Sequence, residues 1–131
     1  GRNVMAKTFN IELWDQLKRD FLSGSVFFGK APQDTPAPYC VIHVLDGGID
    51  EESKTLCGSI GEASMQFNIY GFNDMQLDEL LDTLNGWLKS YKNLEHFRII
   101  KAIRGTTKSA SSFSSEVGMG LSRFDFSYEG L

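Results

Sequence analysis

The sequence contains no run of about 18 apolar residues, so it offers no membrane-spanning helix. It has two cysteines, Cys40 and Cys57, too few for the disulfide framework of a small secreted domain. Cys40 sits in Tyr39-Cys40-Val41-Ile42 and reads as a buried, reduced strand residue. The three prolines, Pro32, Pro36 and Pro38, fall in one stretch, so nothing elsewhere blocks regular structure. Histidine is scarce, with His43 and His96 the two present, which leaves little material for metal ligation or acid–base work. Basic residues number 13 against 17 acidic, a net charge of -4, and no basic stripe marks a nucleic-acid binder. Residues 1–7 have no apolar stretch behind Arg2, so no secretory signal is expected, and Met5 is a candidate start.

What is present fits one globular domain. The chain has 131 residues, of which 41% are hydrophobic and 23% charged, outside the range of disordered chains. A chain of this size buries roughly two-thirds of its unfolded surface, enough for one core without staples. The ten phenylalanines suggest a sheet with aromatic core positions. The whole span 1–131 reads as a single domain, structured over about 7–129.

Phe9, Leu13, Trp14, Leu17 and Phe21 recur at helical spacing over residues 8–22, and Ser23-Gly24-Ser25 supplies the stop. Val26-Phe27-Phe28 then reads as a short edge strand, residues 31–38 as a proline-rich connector, and 39–45 as a strand. Residues 49–60 are polar. Over 62–72, Ala63, Met65, Phe67 and Ile69 alternate with Ser64, Gln66 and Asn68, and the outer face turns aromatic at Tyr70 and Phe72. A second helix spans 74–91, with Asn73 as cap, Gln76 in capping-box position, and a leucine stripe from Leu77 to Leu88 that continues to Tyr91. Gly86 inside that helix predicts a close approach to the sheet. Strands at 96–106 and 121–129 follow, with a bulge or a strand start expected near Ser122 because Leu121 has the wrong parity for Phe124. A serine-rich loop, 108–118, separates them. Sequential strands with short links predict an α+β, two-layer domain: a mainly antiparallel sheet of four to five strands, with two helices on one face.

Little in the sequence carries chemistry. Cys40 and His43 are three apart in a strand and point to opposite faces, so they cannot share an ion. Asp46, Asp50, Glu51 and Glu52 lack the spacing and the glycine of a calcium loop. Gly58-Ser59-Ile60-Gly61 has no Lys-Ser/Thr behind it for a phosphate and fails the nucleophile-elbow spacing. Both histidines fall in expected strands, and no serine sits in a strained turn. No catalytic residue, metal ligand or cofactor is therefore assigned. Trp14 and Trp87 read as core packing, with an interface anchor as the sharper alternative.

The element order resembles the bacteriophage tail completion proteins, the tail-terminator or head-to-tail joining family. The likeness is carried by the leading helix ending near Leu22, the connector into Pro38-Tyr39-Cys40-Val41-Ile42, the strand Met65-Gln66-Phe67-Asn68-Ile69-Tyr70-Gly71, the helix from Leu77 to Leu88, Phe97-Arg98-Ile99-Ile100, and the final Arg123-Phe124-Asp125-Phe126. It covers about residues 7–129. The serine-rich segment departs from the compact link expected of the family. The resemblance implies a structural virion protein, assembled in the bacterial host cytoplasm and placed at the tail neck. Its partners would be copies of itself in a ring, a hexamer by the resemblance, together with tail-tube and head-connector proteins, without membrane or specific nucleic-acid binding. Candidate contact residues are Asp50, Glu51, Glu52 and Lys54 in the polar loop, Gln66, Asn68 and Tyr70 on the outer strand face, and Lys108, Ser111, Ser112 and Phe113 in the serine-rich segment. A small ligand-binding or regulatory α+β domain, and a minor hydrolase, are the competing readings.

Overall fold

Thr8 starts the first helix. Its hydroxyl accepts the Ile11 N–H at 3.3 Å, a cap that satisfies one of the free amides at the helix start. Helix α1, Phe9–Asp20, follows, and Phe9, Leu13 and Leu17 line its buried face. The computed structural model describes residues 8–47, 60–90, 93–109 and 118–131, with backbone alone at 106–109. The helix stops earlier than the periodicity suggests. Phe21 is extended, and Leu22 and Ser23 take left-handed conformations in a short 3₁₀ turn ahead of Gly24.

Five strands form one sheet: β1 Val26–Phe28, β2 Tyr39–Gly47, β3 Ile60–Gly71, β4 Phe97–Ser109 and β5 Gly118–Gly130, in the order β1-β2-β3-β5-β4. Strand β1 lies at an edge, as expected. It pairs with β2 in parallel, however, so the antiparallel reading fails for this pair. The proline-rich connector explains the difference: it is long enough to return the chain to the starting end, which a tight hairpin cannot do. The other three pairings are antiparallel. Because β3 and β4 both run against β5, they are parallel to each other, and the helix between them serves as the crossover of a split β-α-β unit.

That helix, α2, spans Asp74–Lys89, two residues short of the expected end at Tyr91, which lies outside the described residues. Asn73 caps it, accepting the Gln76 N–H at 2.8 Å, and Gln76 reaches back to the Phe72 N–H at 2.7 Å. Leu77, Leu81, Leu84 and Leu88 are buried along one face. Gly86 overturns the expected close approach. It is exposed, and a side-chain carbon placed there would meet nothing within 4 Å.

Both helices pack on the same side of the sheet. The core joins their apolar faces to Cys40, Ile42, Ala63, Met65, Phe67, Ile69, Phe97, Ile99, Phe124, Phe126 and Tyr128. Four aromatic rings meet at its centre. Phe9 stacks on Tyr128 at 4.1 Å and tilts against Phe126 at 5.7 Å, and Phe97 meets Phe9 edge-on at 6.1 Å. Truncating a phenylalanine in such a cluster typically costs about 3–5 kcal/mol. Gly61, opposite Tyr128, is required by that ring: a side-chain carbon there would sit 2.5 Å from Tyr128 Cζ.

The tryptophans take the packing role. Each is half-buried against the core with its indole N–H satisfied, Trp14 by the Val26 carbonyl at 2.8 Å and Trp87 by Asp20 at 2.9 Å. Trp14 thus ties α1 to β1, and Trp87 ties α2 to α1. No described helix is long and apolar enough to cross a membrane.

Neither the bulge nor the strand start expected near Ser122 is found: β5 begins at Gly118 and pairs with β3 in unbroken register. Leu121 simply faces outward, while Ser122 is fully buried and donates to Asn85 of α2 at 2.6 Å. The irregularities fall on β4 instead, at Ile100 and Gly105, with a third in β2 at Leu45. Bulges on an edge strand such as β4 hinder pairing with foreign strands.

Candidate functional site: the open face of the sheet

The helices leave the other face of the sheet uncovered. Alternation along each strand assigns its residues. In the strand order of the sheet, Phe27, Val41, Asn68 and Leu121 form one row, and His43, Gln66 and Arg123 form the next. Further along come Ser64, Asp125 and Ile103, then Glu62, Ser127 and Lys101, and last Ile60, Glu129 and Arg98.

The face divides into two chemistries. At the β1 side it is aromatic. Tyr39 and Tyr70 are directly paired across β2 and β3 and stack at 4.7 Å, with Phe27 against Tyr39 at 6.3 Å. Val41 beneath them is only 4% exposed although no described helix covers it. Burial, and then the neighbouring Tyr70, raise the Tyr39 phenol above its ordinary value. The connector borders this cluster and leaves a groove of about 430 Å³, lined by Lys30, Asp34, Tyr39, Val41, His43 and Tyr70 among others.

Toward β4 the face is polar and cross-braced. Gln66 donates to Asn68 at 2.9 Å along β3. Ser64 donates to its cross-strand partner Asp125 at 2.7 Å, and Arg98 pairs with Glu129 at 2.5 Å. Such exposed pairs fix side-chain geometry more than they add stability.

Of the expected contact residues, Gln66, Asn68 and Tyr70 do share this face, although Asn68 is buried at 7% exposure. Lys108 belongs to β4, which continues to Ser109, rather than to the loop. Asp50, Glu51, Glu52, Lys54, Ser111, Ser112 and Phe113 lie outside the described residues. His43 is half-buried on the open face and Cys40 is in the core, on opposite sides as their spacing requires.

His96 differs from expectation, lying in a bend just before β4. Its backbone N–H donates to Glu12 Oε1 at 2.8 Å, and its ring Nδ1 meets Glu12 Oε2 at 2.5 Å. Glu12 belongs to α1 and is only 4% exposed, so this contact braces the start of β4 against the helix. With Glu95 the two bring ligand-type atoms within 4.8 Å of one another. Glu12 gives no sign of this in the sequence, where it stands 84 residues from its partner. Among the described residues neither histidine hydrogen-bonds a serine hydroxyl, so the described geometry contains no Ser-His-Asp arrangement.

No protein-family model matches the chain, and no curated relative does. Among solved structures, a chain from the virion of a native gene transfer agent particle superposes with a TM-score of 0.68 at 12% identity, covering 94% of this chain and 96% of that one. A second solved chain reaches a TM-score of 0.46 at 10% identity, over 95% of this chain and 91% of its own length. The first likeness covers nearly all of both chains and shows that they share a fold.

Proposed function

We propose that this chain is a non-enzymatic structural subunit of a phage-like virion, a ring-forming protein that caps the head-proximal end of the tail and joins it to the head connector. The observation that carries the reading is the end-to-end fold likeness to a chain of a gene transfer agent virion. The element order that resembles the tail completion family agrees with it. So does a sheet whose second face is left open and braced by side-chain pairs, a surface suited to another protein. The contact surfaces are the open face at Gln66, Asn68 and Tyr70, with Asp50, Glu51, Glu52 and Lys54 and the segment from Lys108 through Ser111, Ser112 and Phe113. The chain would work in the tail neck after assembly in the host cytoplasm. An acidic balance suits weak rather than tight contact with DNA in a ring lumen.

Electron microscopy of particles made with and without the chain tests this. Absence should give tails of unregulated length, or tails that fail to join heads. Normal particles in its absence would sink the reading. The ligand-binding alternative takes its support from the connector groove, whose volume of about 430 Å³ is within the range of small-molecule sites. The same micrographs separate the two, since a ligand-binding domain leaves particle architecture unchanged when removed.

A further inference from the structure

We infer that the start of α2 on one copy of this chain docks on the β4 side of the open sheet face of the next copy. The first patch has an apolar centre, Phe72 and Met75, which are 51% and 73% exposed. Asp74, Asp78, Glu79 and Asp82 surround it and are all exposed. Asp74, Asp78 and Asp82 follow at four-residue intervals, a line of one sign along the helix. The second patch also has an apolar centre, Ile103, 51% exposed. Lys101 and Arg123, both exposed, flank it on the open face. Asp125, the acid opposite Ile103, is engaged by the Ser64 hydroxyl. Among the described residues none of these four acids or two bases forms an ion pair.

The two patches cannot meet within one molecule. Helix α2 packs against the core face of the sheet, while Lys101, Ile103 and Arg123 lie on the opposite face. A second copy brings them together, apolar centre on apolar centre with opposite charges at the rim, the usual anatomy of a protein interface. Because the patches differ, the contact is heterologous and repeats from copy to copy, closing into a ring when the rotation per subunit permits. The inference rests on the ring reading for that closure and names the contact the ring would use.

The test is sedimentation of the full chain over a concentration series at low and high salt. Wild type should associate with rising concentration, and high salt should weaken the association. Asp78→Lys/Glu79→Lys and Lys101→Glu/Arg123→Glu should each weaken it roughly tenfold or more. Mixing the two variants should restore it, since each then meets an opposite charge. Wild type that stays monomeric throughout, salt-independent association, or a mixture as dissociated as its components would each overturn the contact. Assembly of normal particles from either variant alone would overturn the contact and leave the tail-capping reading standing. Normal particles made without the chain, beside a measured self-association, would do the reverse.

Discussion

At the scale of single residues, side-chain parity decides most of what this chain does. Cys40 and His43 have opposite fates because neighbouring strand positions alternate between core and open face. Cys40 is fully buried, and burial pushes its thiol up to about 12. The thiolate is the reactive form, so alkylation at mildly alkaline pH should leave Cys40 unmodified in the folded chain and label it in denaturant, read by peptide mass spectrometry. Equal labelling rates in the two states would contradict its burial. The same shift has a sign for stability. The folded chain keeps a proton that the unfolded chain releases above its ordinary value of 9.0. The stabilising contribution is therefore whole below about pH 9 and is lost as pH rises from there toward 12, by at most ~1.4 kcal/mol per pH unit. Glu12 and Ser122 are the residues that parity and spacing do not reveal. Their partners, His96 and Asn85, come from distant segments, and only tertiary packing makes the pairs.

At the scale of elements, α2 is the clearest case of local chemistry writing structure. Its cap at Asn73, its leucine stripe and the acids in its first turns all follow from nearest neighbours along the chain. The line of Asp74, Asp78 and Asp82 opposes this in part, because like charges four apart cost about 0.2–0.5 kcal/mol a pair, offset near the helix start by the macrodipole. Gly86 is the opposite case. It weakens the helix, and the described structure gives it no compensating contact. Gly86→Ala should therefore stabilise the chain by about 1 kcal/mol, seen as a rise in melting temperature of about 3–5 °C for a domain of this size. A fall instead would mean that a neighbour needs the open backbone at that position. The bulges repeat the lesson for strands. The parity change at Leu121 is a real feature of the sequence, but it reports an outward leucine, while the register shifts sit at Ile100 and Gly105 of β4 and at Leu45 of β2.

At the scale of the whole molecule, both described helices lie on one side of the sheet, and no described helix covers the other. The proposed role turns on that asymmetry. Deleting residues 109–115 should leave the far-ultraviolet circular dichroism and unfolding midpoint of the isolated chain nearly unchanged, because the stretch is mostly serine and holds little apolar side chain to lose. It should impair assembly of particles, scored by complementation. Normal particles from the shortened chain would remove the segment from the contact surface.

The amino-acid order alone determined both helices, the Asn73 cap of α2, the strand β3 with its alternating faces, and the α+β class, because those features depend on periodicity and on groups a few residues apart. The parallel pairing of β1 with β2, the insertion of β5 between β3 and β4, the Glu12–His96 brace and the aromatic cluster of Phe27, Tyr39 and Tyr70 were settled only by the tertiary structure. Each of these joins segments far apart in the chain, and which segments meet depends on how the whole set of apolar faces can be buried at once.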